Sequence, residues 1–261
     1  MTAREALAEA ERRLAAAGIE TPRVDAEWLV SHLLRTSRSG LMARLDEEVD
    51  GLEPLLARRE AREPLAYVLG EWGFRWLTLK ADARALVPRP ETETLVERAL
   101  ALAAGIERPS ILDVGVGSGA IALALKDERP DAQVTGVDVS ADALALAREN
   151  AERLGLAVEL RHGDGAGVAA EGWDIVAANP PYVESLEELQ AELRWEPEVA
   201  LVGQGEHERL ATAAKTRFIV LETGDDQAGD VAAMLERLGY VDVAVTADLT
   251  GRARVVDGRR A

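Results

Sequence analysis

Short apolar runs alternate with segments of helical periodicity through the second half of the chain. Runs predicted as strands lie at 111–114, 134–139, 158–162, 175–178 and 218–221. The segments that follow three of them, at 119–127, 141–154 and 227–238, have the spacing of helices. Strands that alternate with helices form a parallel sheet covered on both faces. The pattern therefore predicts an α/β fold of the Rossmann-like type.

The two ends of the chain have a different character. Residues 1–70 show helical spacing and predict a small helical bundle, and residues 71–90 predict a β-hairpin linker. Residues 91–261 form the predicted α/β domain. Near its end, 241–249 and 252–256 predict two strands joined by a tight turn at Thr250 and Gly251. They complete a mostly parallel seven-stranded sheet with an antiparallel edge strand.

Composition excludes several classes of function. The 261 residues include no Cys, so neither a disulfide framework nor a cysteine nucleophile is possible, and the three His are too scattered for a metal site. The net charge of −17 argues against a surface that tracks nucleic-acid phosphates. No run approaches the ~18 apolar residues of a membrane helix, and the acidic start does not resemble a signal peptide. We expect a cytoplasmic monomer that binds neither membrane nor nucleic acid stably.

A glycine-rich turn follows the first predicted strand and opens the next helix. Glycines let backbone N–H groups approach a ligand, and the helix N-terminus adds partial positive charge. An acidic residue at the end of the second strand is placed for the ribose hydroxyls, and one after the third strand is placed for the adenine amino group. The candidate cofactor residues are Asp113, Gly115, Val116, Gly117, Ser118, Gly119, Asp138, Asp164, Gly165 and Asn179.

Two cofactors remain open on this turn alone. Gly115, Gly117 and Ala120 also fit the dinucleotide pattern of nicotinamide enzymes. Two features favour S-adenosylmethionine. Asp113 precedes the first glycine by two residues, where a carboxylate can meet the cationic amino end of that ligand. The second feature is a polar corner at the end of the fourth predicted strand.

That corner reads Asn179-Pro180-Pro181-Tyr182. Prolines stop the strand because they cannot donate to a ladder, and Asn179 adds a side-chain acceptor and two donors. The Asn179 oxygen and the Pro180 carbonyl are predicted to hold a planar NH2 group, with Tyr182 packed on its plane. Beside a methyl donor, such a corner methylates that nitrogen by positioning and preorganised dipoles. Glu184, Glu187 and Glu188 follow it, and we expect them on a solvated surface.

The ordered motifs resemble those of the protein-(glutamine-N5) methyltransferases that modify peptide chain release factors. The similar segments are residues 21–29, 64–70, 87–93, 113–122, 179–182, 196–201 and 251–256. The resemblance implies a class I methyltransferase fold and S-adenosylmethionine as methyl donor. It implies that the substrate is the glutamine of a Gly-Gly-Gln tripeptide, held at 179–182. It also implies that the helical domain helps to bind the release factor. Two departures are Gly165, where relatives often carry an aromatic residue, and the short segment 202–216.

Two rival functions use the same features. Adenine and guanine amino groups are also planar NH2 groups, and their methyltransferases have similar corners and flip the base out of the stack. The acidic charge argues against this alternative. A cofactor-binding regulatory protein without turnover is the second rival, and the intact Asn179 argues against it.

Overall fold

The computed structural model describes residues 1–183, 185, 190–224 and 226–261. These residues divide into two compact units. The first unit consists of Met1–Glu71 together with Gln190–Trp195, and the second holds the rest of the described chain. Within the described residues, no helix has both the length and the apolar character needed to cross a bilayer.

The first unit is helical. Its helices are α1 (Ala3–Ala16), α2 (Pro22–Leu33), α3 (Arg38–Leu41), α4 (Leu52–Glu60) and α5 (Leu65–Leu69), and a 3-10 turn covers Ala191–Trp195. Helix α1 begins with a capping box, in which Thr2 accepts from the Glu5 amide and the Glu5 side chain accepts from the Thr2 amide. The apolar residues at helical spacing on α1 are buried, as the periodicity predicts.

An ion-pair network explains why the 3-10 turn belongs with the first unit. The buried Arg59 donates to Asp25 over 2.7 Å and to Glu192 over 2.9 Å. Arg62 binds the other Glu192 oxygen at 2.7 Å. Removal of one partner would leave a buried charge without its pair, which is costly. The network therefore holds the 3-10 turn against α4 and the residues that follow α4.

The second unit contains a two-stranded sheet and a larger α/β sheet. Its elements are β1 (Glu71–Phe74), β2 (Leu77–Lys80), α6 (Thr92–Ala103), β3 (Ser110–Val114), α7 (Ala120–Glu128), β4 (Gln133–Asp138), α8 (Ala141–Leu154), β5 (Glu159–His162), α9 (Gly165–Ala169), β6 (Trp173–Ala178), α10 (Glu198–Leu201), α11 (Glu206–Ala213), β7 (Thr216–Glu222), α12 (Ala228–Arg237), β8 (Tyr240–Ala247) and β9 (Ala253–Arg260). Strands β1 and β2 form the smaller sheet.

The larger sheet has the strand order β5-β4-β3-β6-β7-β9-β8. Pairs from β5 to β7 are parallel, whereas β9 runs antiparallel to both β7 and β8. This confirms the predicted fold class, a mostly parallel seven-stranded sheet with antiparallel pairing at one edge. Strand β9 extends to Arg260, beyond the predicted end at 256, because its ladder with β7 continues to the pair Phe218–Arg259.

Helices cover both faces of this sheet. Consecutive residues of β3 face opposite sides of the sheet. Ile111 packs into a core with α6, α7 and α8, and Leu112 packs into a core with α9, α11 and α12. Strand β3 lies between β4 and β6, so the order of connections reverses there. Ligands bind beside the carboxyl ends of the strands at such a reversal.

Candidate active site

A cavity of about 300 Å³ lies at the carboxyl ends of β3, β4 and β6, within the second unit. The glycine turn, Asp138 and the 179–181 corner all contribute to its lining, with Val87–Arg89 and residues of α11 completing the wall. The fold thus brings the two predicted motifs into one cavity, although about 60 residues separate them. Adjacent parallel strands account for this because their carboxyl ends share an edge.

The glycine turn is held in a left-handed conformation. Gly115, Gly117 and Gly119 have φ of 76°, 53° and 89°, a region that side-chain-bearing residues rarely adopt. The Gly115 amide donates to the Val137 carbonyl over 2.9 Å, which ties the turn to β4. At Gly119 the positive φ favours glycine, and a Cβ there would also lie 2.9 Å from Leu123 Cδ1. Within the turn, residues 115–118 line the cavity.

Asp138 ends β4 and also lines the cavity. One carboxylate oxygen accepts from the Gly117 amide and the other from the Ser140 amide, both at 2.9 Å. A carboxylate has about four lone-pair positions, so these two bonds leave acceptor capacity for a ligand hydroxyl. Asp138 therefore braces the turn and presents an acceptor at the same time.

Asp113 lies beneath the turn and is fully buried. It is not among the residues that line the cavity. Its Oδ2 accepts from the Ala122 amide over 3.0 Å, and its Oδ1 has no hydrogen-bond partner within the described residues. Burial, with a smaller contribution from the charge of Asp138, raises the pKa of Asp113 to about 7. The structure thus does not place Asp113 on the cavity wall, where the sequence predicts it to meet the amino end of a cofactor.

Asp164 and Gly165 follow β5 and line the far end of the cavity. Asp164 accepts from Arg209 Nη1 over 2.8 Å, and Arg209 also lines the cavity. A Cβ at Gly165 would lie 2.2 Å from Val114 Cγ1. The departure from an aromatic residue at 165 thus has a local cause, because Val114 fills the space that any side chain would need.

The polar corner begins directly after β6. Asn179, Pro180 and Pro181 line the cavity. Tyr182 is half-buried and is not among the lining residues; its carbonyl accepts from Gln227 Nε2 at 3.4 Å. Burial raises the pKa of the Tyr182 phenol. The predicted surface residues Glu184, Glu187 and Glu188 lie outside the described residues.

The sequence analysis did not identify Thr92 and Glu222, two buried residues beside Asn179, as site residues. Asn179 Nδ2 donates to Thr92 Oγ1 over 3.3 Å. Glu222 follows Leu221, which pairs with Ala178, so it lies beside Asn179 on the neighbouring strand, and burial raises the pKa of its carboxyl to about 7. An acidic residue directly after the apolar run 218–221 was the available signal, since charged residues are seldom fully buried without a reason.

The linker before α6 is attached to the cavity wall by Glu196. This buried carboxylate accepts from the Val87 amide over 3.0 Å and from Arg89. Val87 and Arg89 line the cavity. Within the part of the chain that the structure describes, no cluster of three or more His, Asp or Glu side chains could hold a metal ion.

Comparisons with known proteins identify the family. Residues 5–70 match the family described as PrmC N-terminal domain, and residues 92–206 match the Methyltransferase small domain. A release factor glutamine methyltransferase of Deinococcus radiodurans is 38% identical over 282 residues, covering 100% of this chain and 99% of that protein. One of Geobacter sulfurreducens is 39% identical over 264 residues, covering 94% and 92%.

A solved structure supports the fold independently. The hMettl16 catalytic domain, in complex with the MAT2A 3'UTR hairpin 6, aligns with a TM-score of 0.59 at 14% identity, covering 77% of this chain and 82% of that chain. At that identity the likeness concerns the fold alone. The full-length relatives confirm the resemblance seen in the motifs. The chain belongs to the release factor glutamine methyltransferases, S-adenosylmethionine-dependent enzymes of the class I methyltransferase fold.

Proposed function

We propose that this protein methylates the side-chain amide nitrogen of the glutamine in the Gly-Gly-Gln tripeptide of peptide chain release factors. Relatives that align over the whole chain carry the name of this activity. The observation that carries the proposal is the shared cavity, which the glycine turn and Asn179 line from adjacent strands. A methyl donor and an NH2 group held by these two motifs would meet within it.

The cofactor assignment rests on the chemistry of the turn. S-adenosylmethionine supplies an electrophilic methyl carbon when bound. We assign the backbone of 115–119 to its amino-acid portion, Asp138 to its ribose hydroxyls, and Asp164 with Gly165 to its adenine. The free acceptor capacity of Asp138, which lines the cavity, fits a ligand with hydroxyl groups. Asn179 borders both the cofactor and the substrate in this assignment.

The substrate assignment rests on hydrogen-bond capacity. A carboxamide nitrogen is a poor nucleophile because its lone pair is delocalised into the carbonyl. Acceptance of its two hydrogens by Asn179 Oδ1 and the Pro180 carbonyl would orient that lone pair toward the methyl carbon. Pro181 and Tyr182 would bound the glutamine side chain. No strong base is needed, because the nitrogen loses a proton readily once it is methylated.

We further propose a division of labour along the chain. Residues 1–70 would bind the release factor, residues 71–90 would link the two domains, and residues 91–261 would transfer the methyl group. The net charge of −17 supports a protein partner over a nucleic-acid partner. We place the enzyme in the cytoplasm as a monomer, where release factors act.

A labelled-methyl assay separates this proposal from its rival. The protein is incubated with methyl-labelled S-adenosylmethionine and either a release factor, duplex DNA or structured RNA. We expect label in the release factor alone, and none in a release factor whose Gly-Gly-Gln glutamine is replaced by Ala. Label in DNA or RNA, with an unlabelled release factor, would establish an exocyclic amino methyltransferase instead.

A further inference from the structure

We propose that the guanidinium group of Arg209 stacks on the adenine of the cofactor and forms one wall of the adenine site. This inference rests on the proposed function, which places the adenine beside Asp164 and Gly165. It gives a role to an arginine that lines the cavity but belongs to neither the glycine turn nor the polar corner.

The cavity offers no aromatic side chain to a flat ring. Among the described residues that line it, none is Phe, Trp, Tyr or His. Proteins stack purine rings on aromatic side chains or on the planes of arginine guanidinium groups. An arginine is therefore the kind of stacking partner that this lining contains.

Three arginines line the cavity, and their ion pairs place them at different parts of the wall. Arg84 pairs with Glu149 of α8. Arg89 pairs with the buried carboxylate that holds the linker before α6. Arg209 alone among the three pairs with Asp164, at 2.8 Å, and so lies at the end of the cavity assigned to the adenine.

Two carboxylates hold the Arg209 guanidinium by its edges. Its Nη1 donates to Asp164 Oδ1 over 2.8 Å, and its Nε donates to Glu206 Oε2 over 3.0 Å. Its Nη2 lies 2.9 Å from the same Glu206 oxygen. The N–H groups of a guanidinium lie in its plane, so these bonds fix the plane and leave both faces to other partners. The side chain is 52% exposed, which leaves it accessible to a ligand.

Residue 165 leaves the space at this end of the cavity open. Gly165 has no side chain, and a Cβ there would lie 2.2 Å from Val114 Cγ1. A stacking partner must therefore come from another element, and Arg209 supplies one from α11. Asp164 keeps further lone pairs beside its bond to Arg209, so it can accept from the adenine amino group at the same time.

The chemistry of the guanidinium favours this contact. Its delocalised charge is more weakly hydrated than that of an ammonium group, so a purine covers its face at little cost in lost hydration. The positive charge also attracts the electron-rich face of an aromatic ring. A lysine would supply the charge without the plane, which gives the contact a specific test.

Calorimetric titration with S-adenosylhomocysteine tests the contact without turnover. Arg209→Ala should weaken the affinity about 5–30-fold, as for loss of a stacking or cation–π partner. Arg209→Lys keeps the charge but loses the plane, so we expect nearly the same loss. Arg209→Trp restores a flat face and should bind within about threefold of wild type. The control is Arg237→Ala, which removes an exposed arginine 3.9 Å from Glu208 of α11 and should bind like wild type.

A second ligand identifies the part of the cofactor that Arg209 contacts. The compound 5′-methylthioadenosine carries the adenine and the ribose but lacks the amino-acid portion. Arg209→Ala should weaken its binding by the same factor as that of S-adenosylhomocysteine, because the two ligands share the adenine. A loss with S-adenosylhomocysteine alone would place Arg209 against the amino-acid portion and would overturn the proposal.

Arg209→Trp also provides a spectroscopic test. The ring current of an indole stacked on adenine moves the H2 and H8 proton resonances of the bound ligand upfield. We expect this shift relative to the complex with wild-type protein. A merely structural role of residue 209 would not produce it, and resonances at their wild-type positions would show that residue 209 does not face the adenine.

The outcomes separate this inference from the proposed function. If the wild-type protein methylates release factor and Arg209→Ala binds both ligands with wild-type affinity, the stacking role is wrong and the proposed function stands. If Arg209→Ala loses affinity while the wild-type protein transfers no methyl group to release factor, the stacking role stands and the proposed substrate is wrong. If the wild-type protein binds neither ligand, the cofactor assignment fails and the stacking role fails with it.

Discussion

Asn179 and Thr92 are 87 positions apart in the chain, yet the asparagine Nδ2 donates to the threonine hydroxyl across 3.3 Å. The bond joins the corner after β6 to the first residue of α6. Because the corner is bounded by prolines and the threonine by a helix start, neither group needs to become ordered when a substrate arrives. Such preorganisation is important in a reaction whose nucleophile, the substrate amide nitrogen, is weak.

Asn179→Ala removes the acceptor that we assign to the substrate amide. Turnover with release factor should fall by about 10²–10³, the cost of losing one preorganised polar group. Calorimetry should show nearly wild-type affinity for S-adenosylmethionine. Gln133→Ala removes an exposed amide at the amino end of β4, two strands away from β6, and serves as the control. Wild-type turnover in Asn179→Ala would remove the residue from the mechanism.

Asp138→Ala tests the ribose assignment. Its carboxylate braces Gly117 and Ser140 and offers further acceptor capacity to a ligand. We expect the affinity for S-adenosylmethionine to weaken by roughly 1–3 kcal/mol, about the cost of an unmade buried hydrogen bond. The control is Asp131→Ala, which removes a surface carboxylate paired with Arg129. Equal affinities of the two variants would show that Asp138 does not hold the ribose.

Gly165→Ala tests the contact with Val114. The new Cβ would lie 2.2 Å from Val114 Cγ1, so the backbone or the valine must move. We expect a loss of about 1–3 kcal/mol in the free energy of unfolding, as for overpacking elsewhere. Val114→Ala should recover much of that loss in the double variant, measured by denaturant titration. Gly167→Ala, where a Cβ meets only an atom at 4.0 Å, should not destabilise the protein.

Glu222 predicts a pH dependence of stability. Its pKa is about 7 in the folded protein, above its ordinary value of 4.5, chiefly because of burial. Arg254 and Arg89 lower this pKa and Glu91 raises it, while Tyr182 and the His207 ring lie nearby. A raised carboxyl pKa means that its contribution to stability is present below about pH 4.5 and is lost as the pH rises through about 7.

Glu222→Gln should flatten this dependence. Between pH 5 and pH 8, the wild-type free energy of unfolding should fall more than that of the variant, with a difference of a few kcal/mol at most. Denaturant titrations at both pH values measure it. Glu236→Gln, at an exposed position of α12, is the control and should follow the wild-type protein. A parallel pH dependence in wild type and Glu222→Gln would show that the carboxyl is not perturbed.

The fold and the two principal motifs were predictable because their signals are local. A strand is visible in its own apolar run, the glycine turn in its own spacing, and the corner in two consecutive prolines. The predicted strands 111–114 and 175–178 agree with β3 and β6 to within two residues at each end. Ligands bind at the carboxyl ends of parallel strands, and this rule is enough to place Gly115 and Asn179 at one cavity.

The remaining site residues depend on contacts that the sequence does not display. Thr92 reads as an ordinary helix start, and Glu222 reads as the end of a strand, until β6 and β7 pair. Arg209 lies in the short segment 202–216, and its pairing with Asp164 spans 45 positions. Likewise, the close approach of Val114 to residue 165 is a contact that the sequence does not display.

Tandem mass spectrometry of a release factor, after incubation with this protein and S-adenosylmethionine, tests the central claim most directly. The account predicts one added methyl group, on the side-chain nitrogen of the Gly-Gly-Gln glutamine, and its near absence with Asn179→Ala. A release factor of unchanged mass, or a methyl group at another residue, would contradict it.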